Sequence, residues 1–153
     1  MSEKILFYRA NEVPYGSFSN FDMQHPIILK GKPWRSTEHY FQAQKFAGTS
    51  HEEAVRISDK PRDAAAMGRD RSRPLRADWE QVKDDDMREA IRAKFTQHGD
   101  CLTLLLNTNN AELVEHTTND HYWADGGDGS GKNMLGKILM EIREELRPAP
   151  CKI

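Results

Sequence analysis

From Ser36 to Gly48 the chain reads STEHYFQAQKFAG, and no other segment limits the fold so sharply. Ser36 or Thr37 caps a predicted helix that runs through about Ala47, and Gly48 ends it as the C′ residue. Tyr40, Phe41 and Phe46, together with His39, lie almost all round that helix instead of on one stripe. A helix that is apolar on every side has to be packed on every side, whereas one with a polar line can rest on the surface. Glu38, Gln42 and Lys45 supply such a line, spaced at helical turns. If the line meets solvent, these three are ordinary surface groups. If the helix is central, the line faces a cleft, and Glu38 becomes a carboxylate in the first turn and a candidate general base.

Breakers cut the rest of the chain into short pieces. ILFY and PIILKGKPW read as short strands, the second pair turning at Gly31-Lys32, with Pro14, Gly16 and Pro26 in the loops between. A second helix covers His51 to Ile57, and Asp59 and Pro61 start another through Met67, closed by Gly68. Asp78 caps a long helix to about Gln97, Asp100 to Leu106 is short and apolar, and LVEHT is a strand. The final helix, Met134 to Leu146, carries Leu135, Ile138, Leu139, Ile142 and Leu146 on one stripe. The expected fold is therefore a compact α+β domain, predominantly helical with a few short strands. A chain of 153 residues fits one domain, with its core at about 7–146 and a loose tail at 148–153.

Charge and cysteines narrow the function classes. No apolar run approaches the roughly 20 residues of a membrane span. Only Cys101 and Cys151 occur, without a CxxC, which predicts neither a disulfide framework nor a thiolate zinc cage and makes a reducing cytoplasm the expected compartment. A net charge of −2 argues against broad, charge-driven nucleic-acid binding, so any anion site is local.

The stretch from Glu115 to Leu135, EHTTNDHYWADGGDGSGKNML, crowds acids, aromatics and glycines just ahead of the final helix. A glycine-rich loop at a helix start can offer N–H groups and the positive end of the helix dipole to a phosphate, with Gly126 and Asn133 as candidate contacts. A turn-rich hairpin capped by Asn133 is the alternative. Asp120, Asp125 and Trp123 beside it could serve a sugar or a base. On the long helix, Lys83 and Lys94 fall on the face of Met87, Ala90 and Ile91, which Trp79 begins. Such lysines snorkel or pair with a buried acid, or they point into a cleft that holds an anionic ligand on which Trp79 could stack. The loop MGRDRSRPLRADW gathers Arg69, Arg71, Arg73 and Arg76, which suits either bidentate phosphate binding or intrachain salt bridges.

Familiar motifs are set aside. Gly126 to Lys132 has the spacing GxxxxGK, but Asn133 follows where a P-loop needs a hydroxyl. Asp120, Asp125 and Asp128 lack the spacing and closing glutamate of an EF-hand. No HExxH, GxSxG or Cys/His nucleophile signature is present.

Five segments in order, YGSFSNF (Tyr15 to Phe21), STEHYFQAQKF (Ser36 to Phe46), MGRDRSRPLRADWEQVK (Met67 to Lys83), LVEHTTNDHYWADG (Leu113 to Gly126) and GKNMLGKILMEIR (Gly131 to Arg143), resemble the YbiA-like, or NADAR, family. The resemblance covers about Phe7 to Leu146. It departs from the family pattern at one point, where Ala124 stands in YWADG in place of a glycine. The family's name points to NAD and ADP-ribose metabolism; its YbiA-like members are N-glycosidases of early pyrimidine intermediates of riboflavin biosynthesis, and other branches remove ADP-ribose from guanine. The resemblance implies a hydrolase working through an oxocarbenium-like sugar. Glu38 is then the first catalytic carboxylate, with Asp120 and Asp125 steering the ribose hydroxyls or supplying the proton. Trp79 would stack on the pyrimidine, Trp123 would form a second wall, and Lys83, Lys94, Arg69 and the glycine-rich loop would take the 5′-phosphate. Lys45, on the polar line with Glu38, is a further substrate contact. The implied partner is a small phosphorylated N-glycoside, with no metal and no organic cofactor. A non-catalytic module that binds ADP-ribose or a nucleotide is the alternative of a different class.

Overall fold

In the computed structural model, which describes residues 3–149, the aromatic helix is central. The chain forms β1 (Lys4–Phe7), β2 (Ile27–Leu29), β3 (Lys32–Trp34), α1 (Thr37–Gln44), α2 (Ser50–Arg56), α3 (Pro61–Arg69), α4 (Trp79–Gln97), α5 (Gly99–Asn107), β4 (Glu112–Glu115) and α6 (Met134–Leu146). β1 pairs in parallel with β4, and β2 with β3 as an antiparallel hairpin. All eight residues of α1 are buried, Glu38 and Gln42 included, so the surface packing of its polar line is ruled out.

The reason lies in how two helices divide the interior. Phe41 of α1 joins a core built on β1, β4, α4, α5 and α6, while Tyr40 and Ala43 join a second core under the hairpin, α2 and α3. α4 is shared in the same way: Met87, Ile91 and Phe95 face the first core, Ala90 and Ala93 the second. Aromatic rings on opposite sides of α1 are therefore each used. Among the described residues no helix is long and apolar enough to cross a membrane.

Several boundaries differ from expectation. The hairpin turns at Lys30-Gly31, both left-handed (φ 55° and 71°), one residue earlier than Gly31-Lys32. α1 stops at Gln44, with turns leading to Gly48 at φ +83°. α3 starts behind Lys60, whose N–H the Asp63 carboxylate accepts, and runs through Gly68 instead of ending there. The apolar stretch after Asp100 is the helix α5. Expectations for residues 150–153, Cys151 among them, lie outside the described residues.

Lys94 takes the structural course open to a lysine on an apolar stripe. Its side chain is 1% exposed, and its ammonium donates to the Ser19 carbonyl at 3.1 Å and lies 3.2 Å from the Asp22 carboxylate. Burial pushes the ammonium below its ordinary pKa, against the pull of Asp22. His25 bridges the same Asp22 at 2.6 Å to Asp100 at 2.7 Å. The clasp fixes the loop that carries Asn20, whose carbonyl accepts the Glu38 N–H at 3.2 Å and whose Oδ1 accepts the Thr37 hydroxyl at 2.7 Å. It thus reaches the start of α1. Replacing Lys94 by Met leaves buried Asp22 with His25 as its remaining side-chain partner, and is expected to cost about 3 kcal/mol in urea unfolding. Adding Asp22→Leu to that variant should recover much of the loss; equal stability of Lys94→Met and the parent chain would contradict this assignment.

Candidate active site

A cleft of about 560 Å³ opens between α1, α3, the start of α4 and the loop that follows β4. Glu38 and Gln42 of α1 and Lys45 just past its end line it, so the polar line of the sequence is one wall of the cleft. The Glu38 carboxylate accepts the Gln42 amide at 2.9 Å. Burial drives its carboxyl above the ordinary range; the Gln42 hydrogen bond and the charges of Lys45 and Arg69 pull the other way, and Asp120 adds to the rise. A carboxyl held between burial and neighbouring charges in this manner suits proton transfer. Burial pushes the Lys45 ammonium down to about 8, opposed by Glu38 and assisted by Arg71, Arg69 and Lys83. Its Nζ donates to the Gly68 carbonyl at 3.3 Å and lies 5.8 Å from the centre of the Trp79 ring.

Gly68 has a reason to be glycine although it sits inside a helix. A Cβ there would fall 1.8 Å from Gln42 Oε1, so any side chain would push away the amide that holds Glu38. The aromatic wall is continuous: Trp79 packs on Phe41 at 5.2 Å, Phe41 on Trp123 at 5.1 Å and Trp123 on Tyr122 at 4.9 Å between ring centres. Lys83 lies 4.0 Å above the Tyr122 ring and donates to Glu80 at 2.7 Å. Asp120 is fixed by its Oδ1, which accepts the N–H groups of Tyr122 and Trp123, both at 2.8 Å. Of the sequence candidates, the cleft brings together Glu38, Lys45, Arg69, Trp79, Lys83, Asp120 and Trp123.

The others lie elsewhere. Lys94 is in the clasp described above and outside the cleft. Asp125 lies behind the loop, its Oδ1 accepting the N–H groups of Thr117 and Gly127 and its Oδ2 meeting His116 at 2.7 Å. Gly126 (φ +74°) packs on the His121 ring, where a Cβ would come within 2.4 Å. The glycine-rich loop turns its donors on itself: Gly131 N–H goes to Asp125, Lys132 N–H to His121 and Asn133 N–H to Ala124, each to a carbonyl. Met134 and Leu135, at the start of α6, likewise donate to Tyr122 and Trp123. The loop is a scaffold that borders a different cavity, with Lys4, Leu6 and Val114 on the far face of the β1–β4 pair. Ala124 is fully buried and its backbone is not left-handed, so the position accepts a methyl group. Of the four loop arginines only Arg69 lines the cleft; Arg71 binds the Gly68 carbonyl, Arg73 binds His51 and Arg76 pairs with Asp78.

Sequence reasoning passed over Glu115. It closes β4, and the two-residue period of a strand puts it on the side of Leu113, while Val114 faces the other cavity. That alternation, read against the buried Leu113, was the available signal. The side chain of Asn133, which is itself left-handed at φ 52°, runs along β4 like a neighbouring strand: its Nδ2 donates to the Leu113 carbonyl at 2.9 Å and its Oδ1 accepts the Glu115 N–H at 3.0 Å. Gly136 makes room for it, since a Cβ there would meet Leu113 O at 2.0 Å.

Residues 6–147 match the family described as the NADAR domain. The chain is 53% identical over 146 residues to N-glycosidase YbiA of Escherichia coli (strain K12), covering 95% of this chain and 91% of that protein. An N-glycosidase of Nostoc punctiforme is 43% identical, with 94% and 92% covered. A riboflavin biosynthesis protein of Vibrio vulnificus is 40% identical over 149 residues, which are 96% of this chain and 40% of that longer protein. The NMR structure of E. coli YbiA is similar with a TM-score of 0.86 at 54% identity, covering 95% of this chain and 86% of that one.

The Asn133 clamp yields a direct test. Asn133→Ala removes both hydrogen bonds to a buried strand and leaves a β-carbon in the left-handed region, for an expected loss of at least about 2 kcal/mol. Chemical denaturation measures it, and a loss below about 0.5 kcal/mol would show that the clamp is dispensable.

Proposed function

The chain belongs to the NADAR family and is an N-glycosidase, and we propose that its substrates are the early phosphoribosylamino-pyrimidine intermediates of riboflavin biosynthesis. The observation that carries this reading is the cleft itself: a buried carboxylate, Glu38, faces an aromatic wall with cations beside it. In the proposed complex the pyrimidine lies on Trp79 and Trp123, and the 5′-phosphate meets Lys83, Lys45 and Arg69. The anomeric carbon then stands over Glu38. Asp120, whose Oδ2 takes no hydrogen bond from the described residues, holds the ribose hydroxyls. Glu38 takes a proton from the attacking water as positive charge grows on the sugar ring, and ribose 5-phosphate and the free aminopyrimidine leave. The proposed compartment is the cytoplasm, where small phosphorylated intermediates are met. A module that only binds nucleotides gains nothing from burying Glu38 beside Asp120, where each charge disfavours the other.

The variant Glu38→Gln is expected to keep its fold, because Gln42 still has an oxygen to donate to, and to lose at least about a hundredfold in kcat. Near-normal turnover by the folded variant would remove Glu38 from this role. Substrate class is decided by salt. With one or two phosphate contacts, kcat/KM for the small intermediates should fall only gently from low to physiological ionic strength. Faster release of ADP-ribose from a modified oligonucleotide, with a steep salt slope, would replace the proposed substrates by nucleic acid.

A further inference from the structure

The cleft holds a third carboxylate, and its surroundings differ in kind from those of Glu38. Glu38 has the Gln42 amide and the charges of Lys45 and Arg69 to stabilise its anion. The Glu115 carboxylate takes no hydrogen bond from the described residues, and the charges that act on it are those of Asp120, Glu38 and Asp125, all acids. Its backbone is held from two directions, the N–H by Asn133 Oδ1 at 3.0 Å and the carbonyl by the Asp125 N–H at 2.9 Å. It also stands where the cleft meets a second cavity of about 430 Å³, the two sharing Tyr8, Phe21 and Glu115. Arg9 lines that second cavity, its guanidinium 5.9 Å from the centre of the Tyr8 ring. The remaining charged and titratable groups that face the cleft are Lys45, Arg69, Lys83 and Tyr122. Burial first, and then the three acids, push the Glu115 carboxyl up to about 8. When carboxyls crowd one site, the proton goes to the one with the fewest donors and no cation.

We propose that Glu115 is the general acid of the reaction, giving its proton to the departing nitrogen as the bond from that nitrogen to the anomeric carbon breaks. This rests on the N-glycosidase reading above. One water is consumed: its oxygen bonds to the anomeric carbon, one of its protons passes to Glu38, and the nitrogen leaves with the proton of Glu115. The cycle closes when Glu38 releases its proton to solvent and Glu115 takes one up through the second cavity. An anilinic or amide-like nitrogen leaves poorly as an anion, so the acid is needed for this class of leaving group.

The sign of the pH effect follows from the acid form being the active one: kcat/KM of the parent enzyme falls as pH rises through about 8. Glu115→Gln should lower kcat at neutral pH by at least about a hundredfold, change KM by less than about fivefold, and abolish the alkaline fall. Glu115→Asp should keep the alkaline fall at a reduced rate, which covers the case in which the glutamine variant does not fold. Infrared spectroscopy at neutral pH should show a protonated carboxyl in the parent protein that Glu115→Gln lacks. An alkaline fall that survives in folded Glu115→Gln, or a carboxyl band unchanged by the substitution, defeats the assignment. A parent enzyme that cleaves no N-glycoside defeats the functional reading, and this one with it.

Discussion

The enclosure of α1 on every side is the constraint on which the rest of the structure depends. With Tyr40 and Ala43 committed to one core and Phe41 to the other, the helix cannot rotate, and its polar line has only the cleft to face. Glu38 and Gln42 are consequently taken out of bulk water together, and a buried polar group must find partners or incur a cost. Gln42 gives its amide to Glu38 and lodges its oxygen, which has no partner among the described residues, against Gly68. The Glu38 carboxylate is therefore held by a chain of contacts through three residues on two helices, and the smallest of them is as necessary as the others.

The cleft assembles a second set of acids by a different device. Glu115 sits at the end of a four-residue strand whose outer edge is covered by a side chain, Asn133, in place of another strand. The glycine-rich loop returns most of its N–H groups to its own carbonyls and to the Asp125 and Asp128 carboxylates, so its rigidity serves the strand end and the aromatic pair Tyr122 and Trp123. Two carboxyls thereby reach the same space from elements that meet only through the fold. Glu38 arrives with donors and cations, Glu115 with neither, and in the proposed mechanism that difference separates the base from the acid.

Much of this was legible in the residues. The polar line of α1, the aromatic pair and the stripe of α6 follow from period and composition, because each concerns neighbours within one element. Lys83 and Lys94 show where that kind of reading ends. They share one face of α4, but eleven residues separate them along the axis, about 16 Å at helical rise. The first therefore opens on the cleft, and the second lies against Ser19 and Asp22. Facing direction is a local property, whereas what stands opposite depends on chain that is distant in sequence. Gly126 and Asn133 leave both readings open in sequence for the same reason: a glycine-rich helix start looks the same whether its donors are free or already satisfied. Glu115 was passed over because a lone acid at a strand end carries no pattern until Asp120 and Glu38 are placed beside it.

Placing these acids together works against stability. An ionised Glu115 has no compensating donor, so above its raised pKa the folded state bears a charge that the unfolded chain would solvate freely. The fold offsets this with fixed polar anchors just outside the cleft. The Lys94–Asp22 pair ties the loop of Asn20 to α4, and Asn133 ties β4 to the start of α6. Both are fully or nearly buried and both act on backbone that leads directly to a carboxylate, the first to Glu38 and the second to Glu115. Polar groups that first look like ligand contacts are thus used to hold the backbone beside Glu38 and Glu115 in place, and these carboxyls are left with the unsatisfied electrostatics that the proposed proton transfers require.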